Sequence, residues 1–329
     1  MNRETMAATA IAHPNIALVK YWGKRDVERN IPAVGSLSIT LDGLTTTTGV
    51  QFDAELSEDS FLLGGREAPE MQPRVARCLD CIRERAGTSL HARVESWNDF
   101  PTAAGLASSA SGFAALVVAA DQALAIGLPR AELADIARRS SGSAARSLFG
   151  GFVELRLTPD DKRPTEVRRI LEPAQWPLRV AVAVTEAGPK AVGSTEGMLL
   201  TERTSPYFQA WVESSEGDLA EARNAVERRD FEALAEISES SCLKMHAVML
   251  SARPGLVYWN GATVECIRRV LELRADGVPV FFTVDAGPQV KAVCLPEAFD
   301  RVAGELQAVP GVTNLLGSGL GDGARTVNP

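Results

Sequence analysis

The chain has 329 residues, a formal net charge of −8, a hydrophobic content of 45% and a charged content of 23%. This composition predicts a globular protein of one large or two ordinary domains. The negative charge argues against nucleic acid or an anionic membrane as the main partner, so an anionic substrate would need a local cluster of basic residues.

The first hundred residues are predicted to be mostly strands and turns, because apolar and β-branched residues alternate there. One stretch, 73–86, instead has apolar residues at helical spacing and is predicted to be a helix that carries Cys78 and Cys81 in a structural role. The predicted strands occupy residues 7–19, 36–50, 61–66 and 90–97.

Helices dominate the remainder, interspersed with apolar strands, which predicts an α+β fold of two domains. The turn Ala187-Gly188-Pro189 predicts a boundary that separates residues 1–187 from residues 188–329. The predicted helices occupy residues 111–125, 129–138, 218–228, 231–248, 260–274 and 296–307, and the predicted strands 149–157, 178–184, 278–284 and 291–295.

Cysteine usage and apolar runs bear on the compartment. Five cysteines, an odd number in a chain that needs no disulfides, predict reduced thiols and a cytoplasmic location. The first ten residues lack the apolar core of a signal peptide, and no apolar run approaches the length of a membrane span. The three histidines lack the spacing of metal ligands, and His246 is expected to be packed or hydrogen-bonded.

The most informative stretch is a run of tiny residues at 98–112 that leads into an apolar helix pattern. Tiny residues let backbone N–H groups approach a ligand, and a helix that begins there directs its positive dipole end at the same point. The run therefore predicts a phosphate site where Ser108 and Ser109 donate to phosphate oxygens or ligate Mg²⁺. The alternative is a small-residue helix start packed against a sheet. The run matches neither a Walker loop nor a dinucleotide-binding fingerprint.

A second segment places cations beside aromatic residues. The apolar strand at 15–19 is followed by Lys20, Tyr21, Trp22 and Lys24. Such a strand end either meets an anionic ligand or forms a solvated basic turn. The aromatic residues favour the first interpretation, because aromatics in a charged turn usually cover something.

Two later segments could add to an anion site. The serine- and glycine-rich segment 140–151 surrounds Arg146, and an anion cradle is favoured over a flexible linker because an apolar strand follows it directly. Asp285 ends the apolar run 278–284, where it is either a turn former or, within an anion site, a group that orients or deprotonates a hydroxyl. The segment 193–198 predicts a polar turn.

In this order, these segments resemble the mevalonate diphosphate decarboxylase family, a branch of the galactokinase, homoserine kinase, mevalonate kinase and phosphomevalonate kinase superfamily. The resemblance implies a two-domain kinase fold and a homodimer. The N-terminal domain would resemble ribosomal protein S5 domain 2, the C-terminal domain would be a ferredoxin-like α/β sandwich, and the active-site cleft would lie between them. The segments that carry it are Asn-Ile-Ala at 15–17, Lys-Tyr-Trp-Gly-Lys at 20–24, Ser-Leu-Ser-Ile-Thr-Leu at 36–41, the run 100–112, the segment 141–154, Gly-Ser-Thr at 193–195 and Asp-Ala-Gly-Pro at 285–288.

The resemblance also implies a reaction. ATP, with Mg²⁺, would phosphorylate the C3 hydroxyl of mevalonate 5-diphosphate, and loss of phosphate and CO₂ would give isopentenyl diphosphate. Asp285 would align or deprotonate the hydroxyl, Arg146 would grip the substrate carboxylate, and Lys20 would stabilise developing negative charge. The other implied substrate-binding residues are Tyr21, Lys24, Ser141, Gly142, Ser143 and Thr195, and the implied ATP-binding residues are Pro101, Ala104, Gly105, Leu106, Ala107, Ser108, Ser109 and Lys190, with Ser109 beside Mg²⁺.

Several positions depart from the commoner residues of the family: Val34, Gly35, Asp99, Ser140, Ala145 and Gln289. A mevalonate 5-phosphate decarboxylase and a C3 kinase of the same superfamily are therefore kept as alternatives. A non-catalytic binding protein on this fold is the remote alternative, because Asp285, Arg146 and the phosphate loop are all retained.

Overall fold

The computed structural model describes residues 6–100, 108–186, 188 and 191–327. Its strands are β1 (Met6–Ala12), β2 (Asn15–Val19), β3 (Lys24–Asp26), β4 (Ile31–Pro32), β5 (Ser36–Thr40), β6 (Thr46–Asp53), β7 (Ser60–Leu63), β8 (Arg66–Glu67), β9 (His91–Asn98), β10 (Phe152–Leu157), β11 (Thr165–Leu171), β12 (Arg179–Val184), β13 (Val280–Val284), β14 (Val290–Cys294), β15 (Asn314–Ser318) and β16 (Arg325–Val327). Its helices are α1 (Gln72–Ala86), α2 (Ser108–Ala123), α3 (Arg130–Ser140), α4 (Ala144–Ser147), α5 (Ser194–Thr204), α6 (Phe208–Arg228), α7 (Phe231–Leu250), α8 (Gly261–Ala275) and α9 (Phe299–Gln307).

The N-terminal sheet has the strand order β16-β1-β6-β9-β7-β8. Along β6, buried and half-buried residues alternate, as expected for a strand with one face on a core. The helices α1, α2 and α3 supply the rest of that core, in which Phe52, Val94 and Phe113 are buried. The long apolar face of α2 thus fixes the helix start at Ser108 against the sheet.

Two four-stranded sheets share a second core. Their orders are β11-β10-β5-β2 and β13-β14-β12-β15. Side chains from both sheets, such as Leu18, Phe152, Val182 and Phe281, pack together with apolar residues of α6 and α7 into what we call the shared core. The opposite face of the β13-β14-β12-β15 sheet packs on α8 and α9. The two-domain α+β architecture predicted from the sequence is confirmed, and the shared core joins its two halves.

The chain crosses between the halves and returns. Strand β12 pairs with β14 and β15, so it belongs with the C-terminal strands although it precedes the predicted division at residue 187. Strand β16 then returns to pair with β1. Between α4 and β10, Gly151 adopts a φ of 71°, and a Cβ there would lie 2.2 Å from the carbonyl oxygen of Leu171. Only glycine fits this close approach.

Several local expectations differ from the structure. The predicted strand 7–19 is two strands, β1 and β2. The predicted polar turn at 193–198 is wrong, because α5 begins at Ser194 and buries Gly197 and Met198. Strands β11, β15 and β16 were not predicted. In β11, the charged residues obscure the alternation of apolar and polar side chains.

The predicted helix that carries Cys78 and Cys81 is confirmed as α1, and the five cysteines are all free thiols. None of the helices in the described part of the chain combines the length and the apolar character that a membrane span needs.

Candidate active site

Three charged side chains meet where the two halves of the chain adjoin. Lys20 directly follows β2, Asp285 directly follows β13, and Lys291 lies within β14. Lys20 Nζ donates to Asp285 Oδ1 at 2.5 Å, and Lys291 Nζ lies 3.1 Å from Oδ2. Both lysine side chains are buried, whereas 30% of the Asp285 side chain is exposed. We call these three residues the aspartate cluster; its carboxylate is the part that solvent or a ligand can reach.

The protonation of Asp285 is decided by its two lysines. Burial by itself would raise the pKa of Asp285, but the ammonium groups of Lys20 and Lys291 outweigh burial and hold that pKa below its usual range. Burial likewise lowers the pKa of Lys291, and Asp285 opposes this effect. Asp285 is therefore ionised at neutral pH and accepts hydrogen bonds, so its strength lies in positioning a hydroxyl rather than in basicity.

Arg146 is a buried cation with neutral partners. It lies on α4 and is 2% exposed. Its Nη1 donates to Ser36 Oγ at 2.7 Å, its Nε donates to Ser38 Oγ at 3.1 Å, and Nε and Nη2 lie 3.3 and 3.2 Å from Asn15 Oδ1. Burial lowers the pKa of Arg146 to about 10. Every hydrogen-bond partner of this guanidinium among the described residues is uncharged, so it can still bind an anion.

Lys24 is in a comparable position. Its Nζ donates to Tyr21 Oη at 2.5 Å and to Asn30 Oδ1, and the residue is 7% exposed. Burial, followed by the charges of Arg138 and Arg74, lowers the pKa of Lys24 to about 8. Lys24, Tyr21 and the nearby guanidinium groups of Arg74 and Arg138 would thus offer a phosphate several donors.

We call Lys24 and Arg146 the open cations, because each is buried among hydroxyl and amide groups. A buried charge without a counter-ion is costly, and an entering anion would relieve that cost. Gly142 brings the backbone to this place, since a Cβ there would lie 2.5 Å from Tyr21 Oη. The absence of a side chain therefore lets the 141–143 loop contact Tyr21 closely.

The start of α2 lies beside the same loop. Ser109 Oγ is 3.3 Å from Ser141 Oγ. Helix α2 directs its free N–H groups and positive end toward this contact. A phosphate held by Ser108 and Ser109 would therefore lie next to a ligand held by Ser141 and the open cations.

An apolar cavity of about 110 Å³ extends from the other side of Ser108 and Ser109. It lies between α1, α2 and strands β7 and β9, and its mostly apolar lining suits an aromatic ring attached to a phosphate chain. Its apolar lining includes Phe61, Leu63, Met71, Val94, Phe113 and Leu116.

Not all predicted site residues come together in the described chain. Ser143 precedes α4, and its carbonyl accepts from Asn15 Nδ2 at 3.0 Å. Thr195 lies exposed on α5, and it has no described contact with the aspartate cluster. Pro101, Ala104, Gly105, Leu106, Ala107 and Lys190 lie outside the described residues.

The sequence reasoning missed several functional candidates. Ser36, Ser38 and Asn15 fell within quoted motifs but received no role, although they hold Arg146. Lys291 was missed altogether. Its only signal is one lysine inside the otherwise apolar β14, a pattern that usually indicates a solvent-facing residue.

Two departures from the family pattern lie in packing contacts. Val34 is 3% exposed and belongs to an apolar cluster with Trp22. A Cβ on Gly35 would lie 2.6 Å from Leu219 Cδ2. Both positions are thus explained by packing against α6 and its neighbours. The expectation that Tyr21 and Trp22 cover something also holds for Trp22, which is 1% exposed.

Gln289, another of these departures, supports the turn after Asp285. Its Oε1 accepts from Thr185 N at 2.7 Å, and its Nε2 donates to the Glu186 carbonyl at 2.7 Å. The longer side chain therefore ties the turn to the end of β12.

His246 is packed and hydrogen-bonded as predicted. Its Nε2 lies 3.2 Å from the Val284 carbonyl, and burial lowers its pKa to about 3. Within the described part of the chain, no three His, Cys, Asp or Glu side chains converge as metal ligands would. Magnesium that enters with a nucleotide would be held by phosphate oxygens and by hydroxyl groups such as that of Ser109, which are ligands that suit Mg²⁺.

Family models match most of the chain. Residues 12–164 match the "Diphosphomevalonate decarboxylase-like N-terminal domain", and residues 180–314 match the "Mevalonate 5-diphosphate decarboxylase C-terminal domain". The two matches meet in the interval that contains the start of β12.

Individual proteins agree with these matches. The diphosphomevalonate decarboxylase of Homo sapiens is 38% identical over 303 residues, which cover 86% of this chain and 75% of the human protein. The phosphomevalonate decarboxylase of Haloferax volcanii is 36% identical over 299 residues, which cover 90% of this chain and 91% of the archaeal protein. A solved structure described as "MDDEF in complex with MVAPP, AMPPCP and Magnesium" superposes with a TM-score of 0.91 at 38% identity, over 99% of this chain and 100% of that one.

The site residues and the comparisons agree over both halves of the molecule. A carboxylate held between two buried lysines, a buried arginine whose partners among the described residues are uncharged, and a serine-led helix start occur together on a fold matched along nearly its whole length. The chain therefore belongs to the diphosphomevalonate decarboxylase family.

Proposed function

We propose that this protein catalyses the ATP-dependent decarboxylation of mevalonate 5-diphosphate to isopentenyl diphosphate, with ADP, phosphate and CO₂ as the other products. The observation that carries the proposal is that the site contains both an ionised Asp285 and a buried Arg146 that has only uncharged partners among the described residues. These two groups together suit a substrate that carries both a hydroxyl to be activated and a carboxylate to be held. The names of the relatives support the same substrate.

Substrate binding uses the open cations. Arg146 forms a bidentate contact with the substrate carboxylate, since its guanidinium offers donors in a fixed plane. Lys24 and Tyr21, with backbone N–H groups of the 141–143 loop, hold the diphosphate. The favourable exchange of a buried, uncompensated charge for a paired one contributes to the affinity.

Phosphoryl transfer depends on positioning. Asp285 accepts a hydrogen bond from the C3 hydroxyl and aims its oxygen at the γ-phosphate, which matters because a tertiary alcohol is a poor nucleophile. Lys20 stabilises negative charge that develops between the two. As the new O–P bond forms and the bond from the γ-phosphate to ADP breaks, the hydroxyl proton passes to the Asp285 carboxylate. Ser108 and Ser109 hold the phosphates of ATP, and the adenine occupies the apolar cavity beside α2. Phosphate oxygens and the Ser109 hydroxyl would hold Mg²⁺, which would neutralise phosphate charge.

Decarboxylation follows from loss of the new phosphate. As the C3–O bond breaks, the electrons of the bond between C2 and the carboxylate carbon move to form the C2–C3 double bond, and CO₂ leaves. Arg146 keeps the carboxylate in the orientation that this electron flow requires, and a cleft with little water favours elimination over capture of C3 by water.

Mevalonate 5-phosphate is the second candidate substrate. The specific observation is the Haloferax volcanii relative, a phosphomevalonate decarboxylase that this chain matches over 91% of that protein's length. The number of cations around Lys24 favours the diphosphate, because Arg74 and Arg138 add positive charge there.

Three further features are part of the proposal. We place the protein in the cytoplasm, where its five free thiols would stay reduced.

A homodimer is also proposed. Leu243 and Leu250 lie seven residues apart on α7 and are both exposed, so they offer an apolar surface for a second copy. The domain division is proposed to lie before β12, with β16 assigned to the N-terminal half.

The test is CO₂ release by the purified protein with Mg²⁺-ATP, measured in parallel on mevalonate 5-diphosphate and mevalonate 5-phosphate, with ADP assayed in each. Efficient CO₂ release from the diphosphate alone supports the proposal. Release mainly from the monophosphate would select the second candidate, ADP without CO₂ would indicate a C3 kinase, and no product from either would favour a binding protein.

A further inference from the structure

A buried lysine occupies the middle of a central strand. Lys291 pairs with Val182 of β12 on one side and with Thr283 of β13 on the other, so its backbone is held by two neighbouring strands. On the same side of β14, two residues away, Val293 belongs to the shared core. Lys291 itself is 2% exposed. An ammonium group placed on this otherwise apolar surface requires a specific counter-ion.

That counter-ion is Asp285. The distance from Lys291 Nζ to Asp285 Oδ2 is 3.1 Å, and Lys20 occupies the other carboxylate oxygen at 2.5 Å. Lys291 has no second acidic partner among the described ion pairs. The two lysines therefore divide the carboxylate between them, one oxygen each.

The two lysines are anchored differently. Lys20 follows the last residue of β2, and its backbone N–H donates to Ser241 Oγ of α7 at 2.9 Å. Lys291 lies inside β14 and is paired on both sides. A substrate that draws Lys20 toward new negative charge would therefore leave Lys291 as the fixed partner of Asp285.

Other groups around the cluster do not replace Lys291. From α7, Cys242 contacts Val284, and His246 is neutral because burial lowers its pKa to about 3. From α4, Arg146 acts on Asp285 only through space. Lys20 and Lys291 are thus the cations in direct contact with Asp285 in the described chain.

We propose that Lys291 is a positioning residue for the reaction: it holds Oδ2 of Asp285 throughout turnover, fixes which oxygen faces the substrate hydroxyl, and keeps the carboxylate ionised. The inference rests on the proposed function, because it assigns Asp285 the task of orienting that hydroxyl. Lys291 acts through Asp285 and need not touch the substrate.

The first test compares wild type with Lys291→Met and Lys291→Arg. The control is Lys244→Met, because Lys244 of α7 pairs with Asp218 and lies outside the aspartate cluster. Lys291→Met is expected to lower kcat about tenfold or more, to leave KM for mevalonate 5-diphosphate within about threefold, and to move the acid limb of the kcat profile to higher pH. Lys291→Arg, which retains the charge, should recover part of kcat. Equal losses in kcat at every pH, with no movement of the acid limb and no rescue by arginine, would overturn the proposal. If Lys291→Met fails to fold, Lys291→Gln provides the same comparison.

The second test does not depend on turnover. The carboxyl pKa of Asp285 is measured by NMR on protein labelled with ¹³C at the aspartate carboxyls, with Asp285→Asn to assign the resonance. It should rise by about one unit or more in Lys291→Met and stay unchanged in Lys244→Met, because loss of a neighbouring ammonium favours the neutral acid. An unchanged pKa would refute the role of Lys291. Absence of activity in wild type would instead refute the proposed function while this measurement still decides the contact.

Discussion

Buried positive charge occurs in two different settings in this protein. In the aspartate cluster, Lys20 and Lys291 share the carboxylate of Asp285 at 2.5 and 3.1 Å. The open cations, Lys24 and Arg146, are also buried, but they bond to hydroxyl and amide oxygens. The first group has one carboxylate for two ammonium groups and is therefore partly compensated before any ligand arrives, whereas the second becomes compensated only when an anion enters.

The difference separates residues that fix the geometry of the site from residues that bind the substrate. A compensated cluster contributes to a fixed geometry, whereas an uncompensated cation raises the free energy of the empty site and lowers that of the occupied one. Substitutions in the two groups should therefore have opposite effects on stability and comparable effects on turnover, and this expectation can be tested.

The largest effect is expected for Asp285→Asn. Removal of the carboxylate leaves two lysines without a counter-ion and the substrate hydroxyl without its acceptor, so kcat should fall by about 10²–10⁴-fold and Tm should fall as well. Substrate affinity, measured by calorimetry without ATP, should change much less. Turnover within a few-fold of wild type would show that Asp285 does not orient the hydroxyl.

Arg146→Met tests the other group. Loss of the guanidinium should lower kcat/KM by about 10²-fold or more, because the substrate carboxylate loses a charge-assisted partner in a buried site. Tm of the empty protein should stay constant or rise, since an uncompensated buried charge has been replaced by an apolar side chain. A marked fall in Tm would mean that Arg146 is compensated in the empty protein and would remove the distinction between the groups.

Lys24 should make substrate binding depend on pH. Its pKa is lowered from 10.5 to about 8, so the empty site loses this charge as pH rises through 8, and KM for the substrate should increase there. The folded state binds fewer protons than the unfolded state between these two values, so the free energy of unfolding should rise with pH over the same window. Lys24→Arg should remove both dependences. A KM that stays flat from pH 7 to pH 9 in wild type would contradict this assignment.

The smallest effect is expected for Gly142→Ala. The new Cβ would lie 2.5 Å from Tyr21 Oη, so the tyrosine must move away from the loop and from Lys24. KM should rise about threefold to tenfold, with little change in Tm, because the end of a side chain can shift more easily than backbone. Gly217→Ala on α6, where a Cβ meets open space, is the matched control and should leave KM unchanged.

The sequence identified the site residues in two ways. Asp285 at the end of an apolar strand could as well form a turn, and its role came from the family resemblance, whereas Arg146 among serines and glycines departs from ordinary surface patterns and by itself attracts a functional interpretation. Lys291 does not, because a lysine within a strand is usually exposed. Only the strand order of the sheet, which brings β14 beside β13, places it against Asp285.

The prediction of the fold has the same limit: local spacing predicts some elements, and contacts between distant residues decide the others. Helices α7 and α8 and strands β12 and β13 were found from periodicity, since packing on one face dictates the spacing of apolar residues. The polar segment at 193–198 is helical, and a Cβ on its buried Gly197 would lie 3.2 Å from the Trp22 ring. These two residues are 175 positions apart, so no local pattern records their proximity. The pairing of β16 with β1 also joins residues that are far apart in the sequence, so no local pattern predicts it.

The shared core has a consequence for folding. Apolar side chains of the N-terminal half, such as Leu18 and Phe152, are buried against Val182 and Phe281 of the C-terminal half. Neither half can be covered by its own residues alone, so each would expose a large apolar surface when separated. The two halves should therefore melt in one cooperative transition, and the site at their boundary should persist until the entire protein unfolds.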